Sequence, residues 1–377
     1  MILKDKKIVF LTGTRADFGK LKSLITILDK ELDFDVHLFV TGMHLLKKYG
    51  ATVDEIVKCG FDNVYRFDNS TSEKSMDLTL AKTIEGLSAF ITKKKPDMIV
   101  VHGDRVEALA GAIVGSLNNI LVSHIEGGEV SGTIDELIRH AVTKMSHLHF
   151  VANKEARTRL IQLGEKKDSI YEIGSPDIDI MLSNKLPELK DVKEHYDLTF
   201  DEYSILMFHP VTTEFEYVEI QSKNVVEAVI ESGKKYVVIY PNNDLGSDKI
   251  LKSYEALSRN SNFKIFPSIR FEYFLVLLKN AQFIIGNSSA GIREAPYYNL
   301  PTINIGTRQN NRAVAKSIIN TDYTVESILN SIHLLKEYED NMNVNFGKGK
   351  SDELFFEIVH SERFWENSKQ KVFVDLD

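Results

Sequence analysis

Proton-transferring side chains stand just past short apolar runs at several places in the chain. Asp104 follows MIVVH in HGDRVEA, and Glu126 and Glu129 lie in the HIEGGE loop. Asp135 opens IDELIRH, and His209 closes YSILMFH. Carboxylates gathered at strand ends suit removal and return of a proton, because partial burial and mutual repulsion raise their pKa values toward neutrality. Blander roles compete. Asp104 could cap the helix that follows, Asp135 could complement a helix dipole, Glu129 could be a solvated loop charge and His209 a satisfied structural histidine. His102, Asp104, His124 and Glu126 alternate so that each pair shares a strand face. No closely spaced histidine pair or H-E-x-x-H helix accompanies them, so no metal is expected.

A second group of residues suits an anion. GNSSAGIREA (286–295) follows the apolar run QFII and reads as a strand leading into a helix. Small residues there let the backbone approach a ligand, and the first helical amides with Ser288 and Ser289 would face a pyrophosphate. Capping by either serine is the simpler alternative. Arg15 in GTRAD, and Arg308 and Arg312 in TRQNNR, also follow strand-like runs and match phosphate oxygens geometrically. No G-x-G-x-x-G follows the first strand and no Walker A pattern occurs, so neither a dinucleotide cofactor nor a P-loop is expected.

The elements that must position these groups alternate. KIVFLTG (7–13), FDVHLFVTG (34–42), MIVVHGD (98–104), LVSHIEGGE (121–129), LHFVAN (148–153) and IYEIGSP (170–176) read as strands separated by helical patterns. Their Ile- and Val-rich runs lack polar alternation, as expected of parallel strands buried on both faces. After the charged stretch 186–203 a second series begins with YSILMFHP, KYVVIYPNND, FKIFPS, QFIIGNSS and PTINIGT. A chain of 377 residues suits two domains. The boundary is placed within 178–200, giving an N-terminal Rossmann-like domain over 1–185 and a C-terminal one over 186–360. The tail 361–377, with Phe364 and Trp365, is expected to pack back on the first. Doubly wound sheets bind ligands beyond the carboxyl ends of their strands, so a central cleft shared by the two domains is expected.

Composition narrows the function classes. The formal net charge of -8 argues against a general nucleic-acid or membrane binder. The single cysteine, Cys59, excludes an intrachain disulfide and reads as structural. The apolar run Ile8–Leu11 is too short for a signal-peptide core or a membrane span, so a cytoplasmic protein is expected.

Eight segments, in order, resemble the hydrolysing UDP-N-acetylglucosamine 2-epimerases of sialic acid biosynthesis: GTRADFGKL, TGMH, HGDRVEALAGA, HIEGGEVSGTIDELIRH, IGSPD, FHPVTTE, GNSSAGIREAP and IGTRQNNR. The resemblance runs from about residue 7 to 320 and implies the two-domain fold of B-type glycosyltransferases. By motif it implies Asp104, Glu126 and Asp135 as catalytic carboxylates and His209 as the family's catalytic cleft histidine. Arg15, Ser288, Ser289, Glu294 and Arg308 match UDP-contacting positions, Glu294 toward the ribose. Asn242 and Phe271 lie in stretches that face the nucleotide. A homodimer without cofactor or metal is implied.

The implied reaction eliminates UDP to give 2-acetamidoglucal, then adds water to release N-acetylmannosamine. Non-hydrolysing relatives have a Gln-His pair where this chain has Met43-His44, and Glu-Ala-Gly-Leu-Arg where it has Glu126-Gly-Gly-Glu-Val. A close alternative substrate is UDP- or GDP-N,N'-diacetylbacillosamine, whose enzymes share HIEGGE and YPNNDLG. A glycosyltransferase would need an acceptor site, and a sugar-nucleotide sensor would need an output module.

Overall fold

A computed structural model describes residues 6–72, 75–131, 133–309, 316–335 and 346–375. Arg312 lies outside the described residues. The chain divides into two compact units, one of Met1–Glu129, Asp135–Asn184 and Asn345–Asp377, the other of Val130–Ile134 and Lys185–Val344.

The first unit carries seven parallel strands: β1 Lys6–Thr12, β2 Phe34–Val40, β3 Val64–Arg66, β4 Met98–His102, β5 Leu121–Ile125, β6 Leu148–Val151 and β7 Ile170–Glu172. Their order is β3-β2-β1-β4-β5-β6-β7. The apolar runs are buried on both faces, as Ile8, Val9, Phe10, Ile99 and Val100 illustrate with no exposed surface. That is what helices on both sides of a parallel sheet require.

The second unit repeats the plan with β8 Ser204–Met207, β9 Tyr236–Ile239, β10 Phe263–Phe266, β11 Ile284–Gly286, β12 Thr302–Ile305 and β13 Ile318–Thr321, ordered β10-β9-β8-β11-β12-β13. In each sheet the order reverses beside the first strand, between β1 and β4 and between β8 and β11. At such switch points adjacent loops diverge and leave room for a ligand. GTRAD and HGDR follow one pair; His209 and GNSS follow the other.

Four features differ from the sequence expectations. The edge strands β3 and β13 stand outside the two series read from sequence: β3 is three residues long with one β-branched side chain, and β13 is the short run Ile-Ile-Asn-Thr. HLLKKYG forms two short 3-10 turns, Gly42–Leu45 and Lys47–Tyr49, instead of a helix. GNSSAGIREA does not open an α-helix: 3-10 turns at Ser289–Gly291 and Ala295–Tyr298 take its place. Pro296 has no amide hydrogen to offer a continuing helix, and Asn299 closes the segment in a left-handed conformation.

The fourth difference is the extent of the second unit, which stops short of residue 360. The helix Ser351–Val359 belongs to the first unit. Phe355, Val359 and Phe364 share the apolar core of Phe10 and Phe150, with the Phe150 and Phe355 rings 4.8 Å apart. The tail beyond it is tied by polar contacts: the Lys371 ammonium donates to Glu165 and to the Thr143 and Ser146 carbonyls.

Asp179 holds the start of this returning helix. Its carboxylate accepts the Ser351 amide at 2.9 Å, the Asp352 amide at 3.0 Å and the Ser351 hydroxyl. Burial nevertheless dominates and pushes its pKa up to about 6. A folded-state pKa raised above the unfolded one stabilises below the unfolded value, and that contribution is lost as pH rises through the folded value. Asp179→Asn is therefore expected to gain melting temperature relative to wild type between about pH 4 and pH 6, with a constant difference above about pH 7. Paired thermal melts across that range would show a difference independent of pH if Asp179 were merely a solvated charge.

Candidate functional site

The loops at the β1 and β4 ends are built on glycine and buried polar contacts. Gly42 has a φ of 61°, and a Cβ there would sit 2.7 Å from the Gly13 carbonyl and 2.8 Å from Glu107 Oε1. TGMH therefore needs glycine where the two loops touch. Asp17 accepts the Gly13 and Thr14 amides, each at 3.0 Å, while Thr14 caps the helix Arg15–Asp29. Thr12 bridges Asp17 and His44 Nε2, and His44 Nδ1 lies 2.7 Å from the Thr52 hydroxyl. Burial pulls the His44 pKa down to about 4, so the ring is a neutral strut. Arg15, at the first turn of that helix, pairs with Glu55.

Glu126 lies at the centre of the carboxylate set. It has a φ of 62°, a left-handed conformation that costs a non-glycine residue roughly 1–3 kcal/mol. Two bonds hold it there: its amide donates to the Phe150 carbonyl at 2.9 Å, and Arg139 Nη1 donates to its carbonyl at 2.7 Å. Its carboxylate, 2% exposed, receives the Ser175 hydroxyl and lies 3.1 Å from His102 Nε2 and 3.9 Å from the Lys20 ammonium. Lys20 also pairs with buried Asp177 at 3.0 Å. Gly128 completes the turn, because a Cβ would meet the Ala156 carbonyl oxygen at 2.3 Å.

Asp104 does not cap the next helix. Arg105 occupies that position, and the Asp104 carboxylate pairs with Arg139. Asp135, half-buried, stands one turn before Arg139 on the helix Ile134–Met145. The i,i+4 spacing puts both on one face. Arg139 thus gathers Asp104, the Glu126 backbone and the Asp135 face of its helix. Glu129 is 8% exposed, not solvated. His124 turns to the Gly103 carbonyl at 2.8 Å and to Thr143, and burial depresses its pKa to about 3. Among the described residues no group of three His, Cys, Asp or Glu is arranged to hold a metal ion.

In the second unit His209 is 4% exposed, and its Nδ1 accepts the Asn242 amide at 3.1 Å. Asn242 thus meets His209 through its backbone amide. Ser288 accepts the Ala290 amide at 3.3 Å, so it caps the short 3-10 turn, and Ser289 is half-buried beside it. Arg308, half-buried, donates to the Asn287 carbonyl at 3.2 Å. Glu294 is 3% exposed, and Phe271, 6% exposed, opens the helix Phe271–Lys279. Glu214 of FHPVTTE accepts Thr307, Gln221 and Tyr323, joining the β8 and β12 loops.

Lys20, Ser175, Asp177, Arg139 and Asn287 were not singled out from sequence. Arg139 had a local signal, its helical spacing from Asp135. Ser175 and Asp177 lay inside the IGSPD segment. Lys20 and Asn287 acquire their roles only through contacts with distant strands.

Two parallel α/β units of this strand order, with polar loops at their switch points, define the two-domain, B-type glycosyltransferase-like fold. The same architecture is seen in UDP-GlcNAc 2-epimerase from Methanocaldococcus jannaschii, solved in complex with UDP-GlcNAc and UDP: the TM-score is 0.81 at 24% identity, over 94% of this chain and 99% of that one. The chain belongs to the UDP-N-acetylglucosamine 2-epimerase family, whose profile it matches over residues 26–360. It is 49% identical to the UDP-N-acetylglucosamine 2-epimerase of Neisseria meningitidis serogroup B, over 99% of this chain and 100% of that protein. It is 33% identical to the UDP-N,N'-diacetylbacillosamine 2-epimerase (hydrolyzing) of Legionella pneumophila, over 94% of this chain and 95% of the relative.

Proposed function

We propose that the protein is a hydrolysing UDP-N-acetylglucosamine 2-epimerase that converts its substrate to UDP and N-acetylmannosamine for sialic acid biosynthesis. The observation that carries the reading is the carboxylate pair of buried Glu126 and partly buried Asp104, organised by Arg139, on a chain 49% identical to a UDP-N-acetylglucosamine 2-epimerase over its whole length. The EGGE loop, shared with the hydrolysing branch, supports the hydrolytic outcome.

In the first step a carboxylate takes the proton from carbon 2 while the bond from carbon 1 to the UDP oxygen breaks. The product pair is 2-acetamidoglucal and UDP. In the second step water adds its oxygen to carbon 1, and a proton returns to carbon 2 on the opposite face. Asp104, Glu126 and Asp135 supply and receive these protons, and His209, as an Nε2–H donor, meets the departing phosphate. Arg15, Ser288, Ser289 and Arg308 hold the pyrophosphate; Glu294, Asn242 and Phe271 belong to the nucleotide end. The protein acts as a cytoplasmic homodimer.

Incubation with UDP-N-acetylglucosamine, followed by proton NMR, tests the reading. Free N-acetylmannosamine and UDP are expected; UDP-N-acetylmannosamine would place the enzyme in the non-hydrolysing branch. The 33% and 32% identical relatives from Legionella pneumophila and Campylobacter jejuni, both named for diacetylbacillosamine substrates, favour a second reading. Faster turnover of UDP-N,N'-diacetylbacillosamine would establish it. Arg308→Ala is expected to weaken UDP binding by roughly 10- to 100-fold, the scale of one charge-assisted hydrogen bond. Calorimetry giving an unchanged dissociation constant would remove Arg308 from the phosphate site.

A further inference from the structure

We infer that Asn287 is a positioning residue for the reaction, holding His209 in its Nε2–H tautomer. The inference rests on the proposed role of His209 at the departing phosphate. Asn287 is 1% exposed and sits at the β8–β11 switch point. Its side chain pairs with the backbone of His209 in both directions: Oδ1 accepts the His209 amide at 2.7 Å, and Nδ2 donates to the His209 carbonyl at 2.9 Å. Its own amide donates to the Met207 carbonyl at 3.0 Å, which extends the β11–β8 ladder by one residue.

Among common side chains this two-way pairing selects a carboxamide, with donor and acceptor side by side. Aspartate would keep the acceptor but set a second oxygen against the His209 carbonyl. Alanine would lose both bonds and leave a buried amide and carbonyl unpaired. The consequence for the ring follows from its own contact. Nδ1 accepts the Asn242 amide, so it carries no proton, and the hydrogen of the neutral ring is on Nε2. That bond survives only while the backbone at His209 is held against the β9 loop. Asn287 supplies the hold from the opposite side of β8.

The Asn287 backbone carbonyl has a separate task. It accepts Gln309 Nε2 at 2.8 Å and Arg308 Nη1 at 3.2 Å. A side-chain substitution at 287 leaves this carbonyl in place. Loss of the side chain should therefore disturb catalysis far more than nucleotide binding, a split that general collapse of the loop would not produce.

The test uses the full-length protein labelled with nitrogen-15 at histidine, with the His209 signals assigned by difference from His209→Gln. Long-range proton–nitrogen spectra of wild type should show a single Nε2–H tautomer at His209. Asn287→Ala and Asn287→Asp should each give a mixed tautomer population. Turnover should fall by about 10- to 100-fold, the scale of a misplaced catalytic group, while the UDP dissociation constant stays within about threefold. If Asn287→Ala does not fold, Asn287→Asp carries the test. An unchanged His209 tautomer in the variants overturns the inference, as does loss of UDP binding in proportion to turnover. The spectra need no substrate, so a wild-type protein inactive on UDP-N-acetylglucosamine would overturn the proposed reaction while the tautomer result still decides the role of Asn287.

Discussion

Glu126→Gln is expected to lower turnover of UDP-N-acetylglucosamine by a hundredfold or more, on the order of 3 kcal/mol in barrier. Glutamine preserves the shape and can still accept the Ser175 hydroxyl, but it cannot take or return a proton. It also removes one carboxylate charge from beside the Lys20 ammonium, 3.9 Å away, which keeps its pairing with Asp177. Asp104→Asn should produce a loss of similar size. Its partner Arg139 would then be left facing a neutral amide in a buried position, so some loss of stability is also expected. Circular dichroism and thermal melts run beside the kinetics separate the two effects.

Isotopic labels sharpen the same experiment. In deuterated water the wild-type product should carry one deuterium at carbon 2, and oxygen-18 from water should enter the sugar and not UDP. Retained hydrogen at carbon 2, or label in UDP, would rule out elimination. Glu126→Gln turning over within threefold of wild type would dismiss that carboxylate from the chemistry.

Gly286→Ala is expected to prevent folding of the second unit or to lower its melting temperature by more than about 10 °C. Gly286 has a φ of 130°, and a Cβ placed there would lie 2.0 Å from the Met207 carbonyl oxygen and 2.6 Å from its carbon. Those are backbone atoms of the paired strand and cannot swing aside. The residue would have to leave a backbone region that is nearly reserved for glycine. Either movement breaks the contact between β11 and β8, and with it the Asn287 pairing to His209. At about 2–4 °C per kcal/mol for a unit of this size, a loss of several kcal/mol gives the stated shift. A soluble variant melting within about 3 °C of wild type would contradict the assignment.

Much of the fold was legible because its causes are local. β1, β4, β5, β8 and β9 are apolar runs of four to seven residues, and runs buried on both faces look the same wherever they lie in a parallel sheet. The edge strands β3 and β13 were missed for the converse reason. One of them, Val64–Arg66, has two exposed residues out of three and so no continuous apolar signal. The helix expected after β11 failed on a local cause that outweighed the motif: Pro296 and the left-handed Asn299 break it.

The carboxylates and arginines were legible by type, but not by partner. Sequence by itself determined that Asp104, Glu126, His209 and Arg308 follow strands, since strand ends and turn glycines are written in short stretches. Tertiary structure decided what each one meets. Strand order sets β1 beside β4 and β8 beside β11, bringing Lys20 to Glu126 across 106 residues and Asn287 to His209 across 78. It also carried the helix Ser351–Val359 back to Asp179 in the first unit. Contacts between residues so far apart leave no periodicity in the chain, because the energy that selects them is the burial and pairing of polar groups after the sheets have formed.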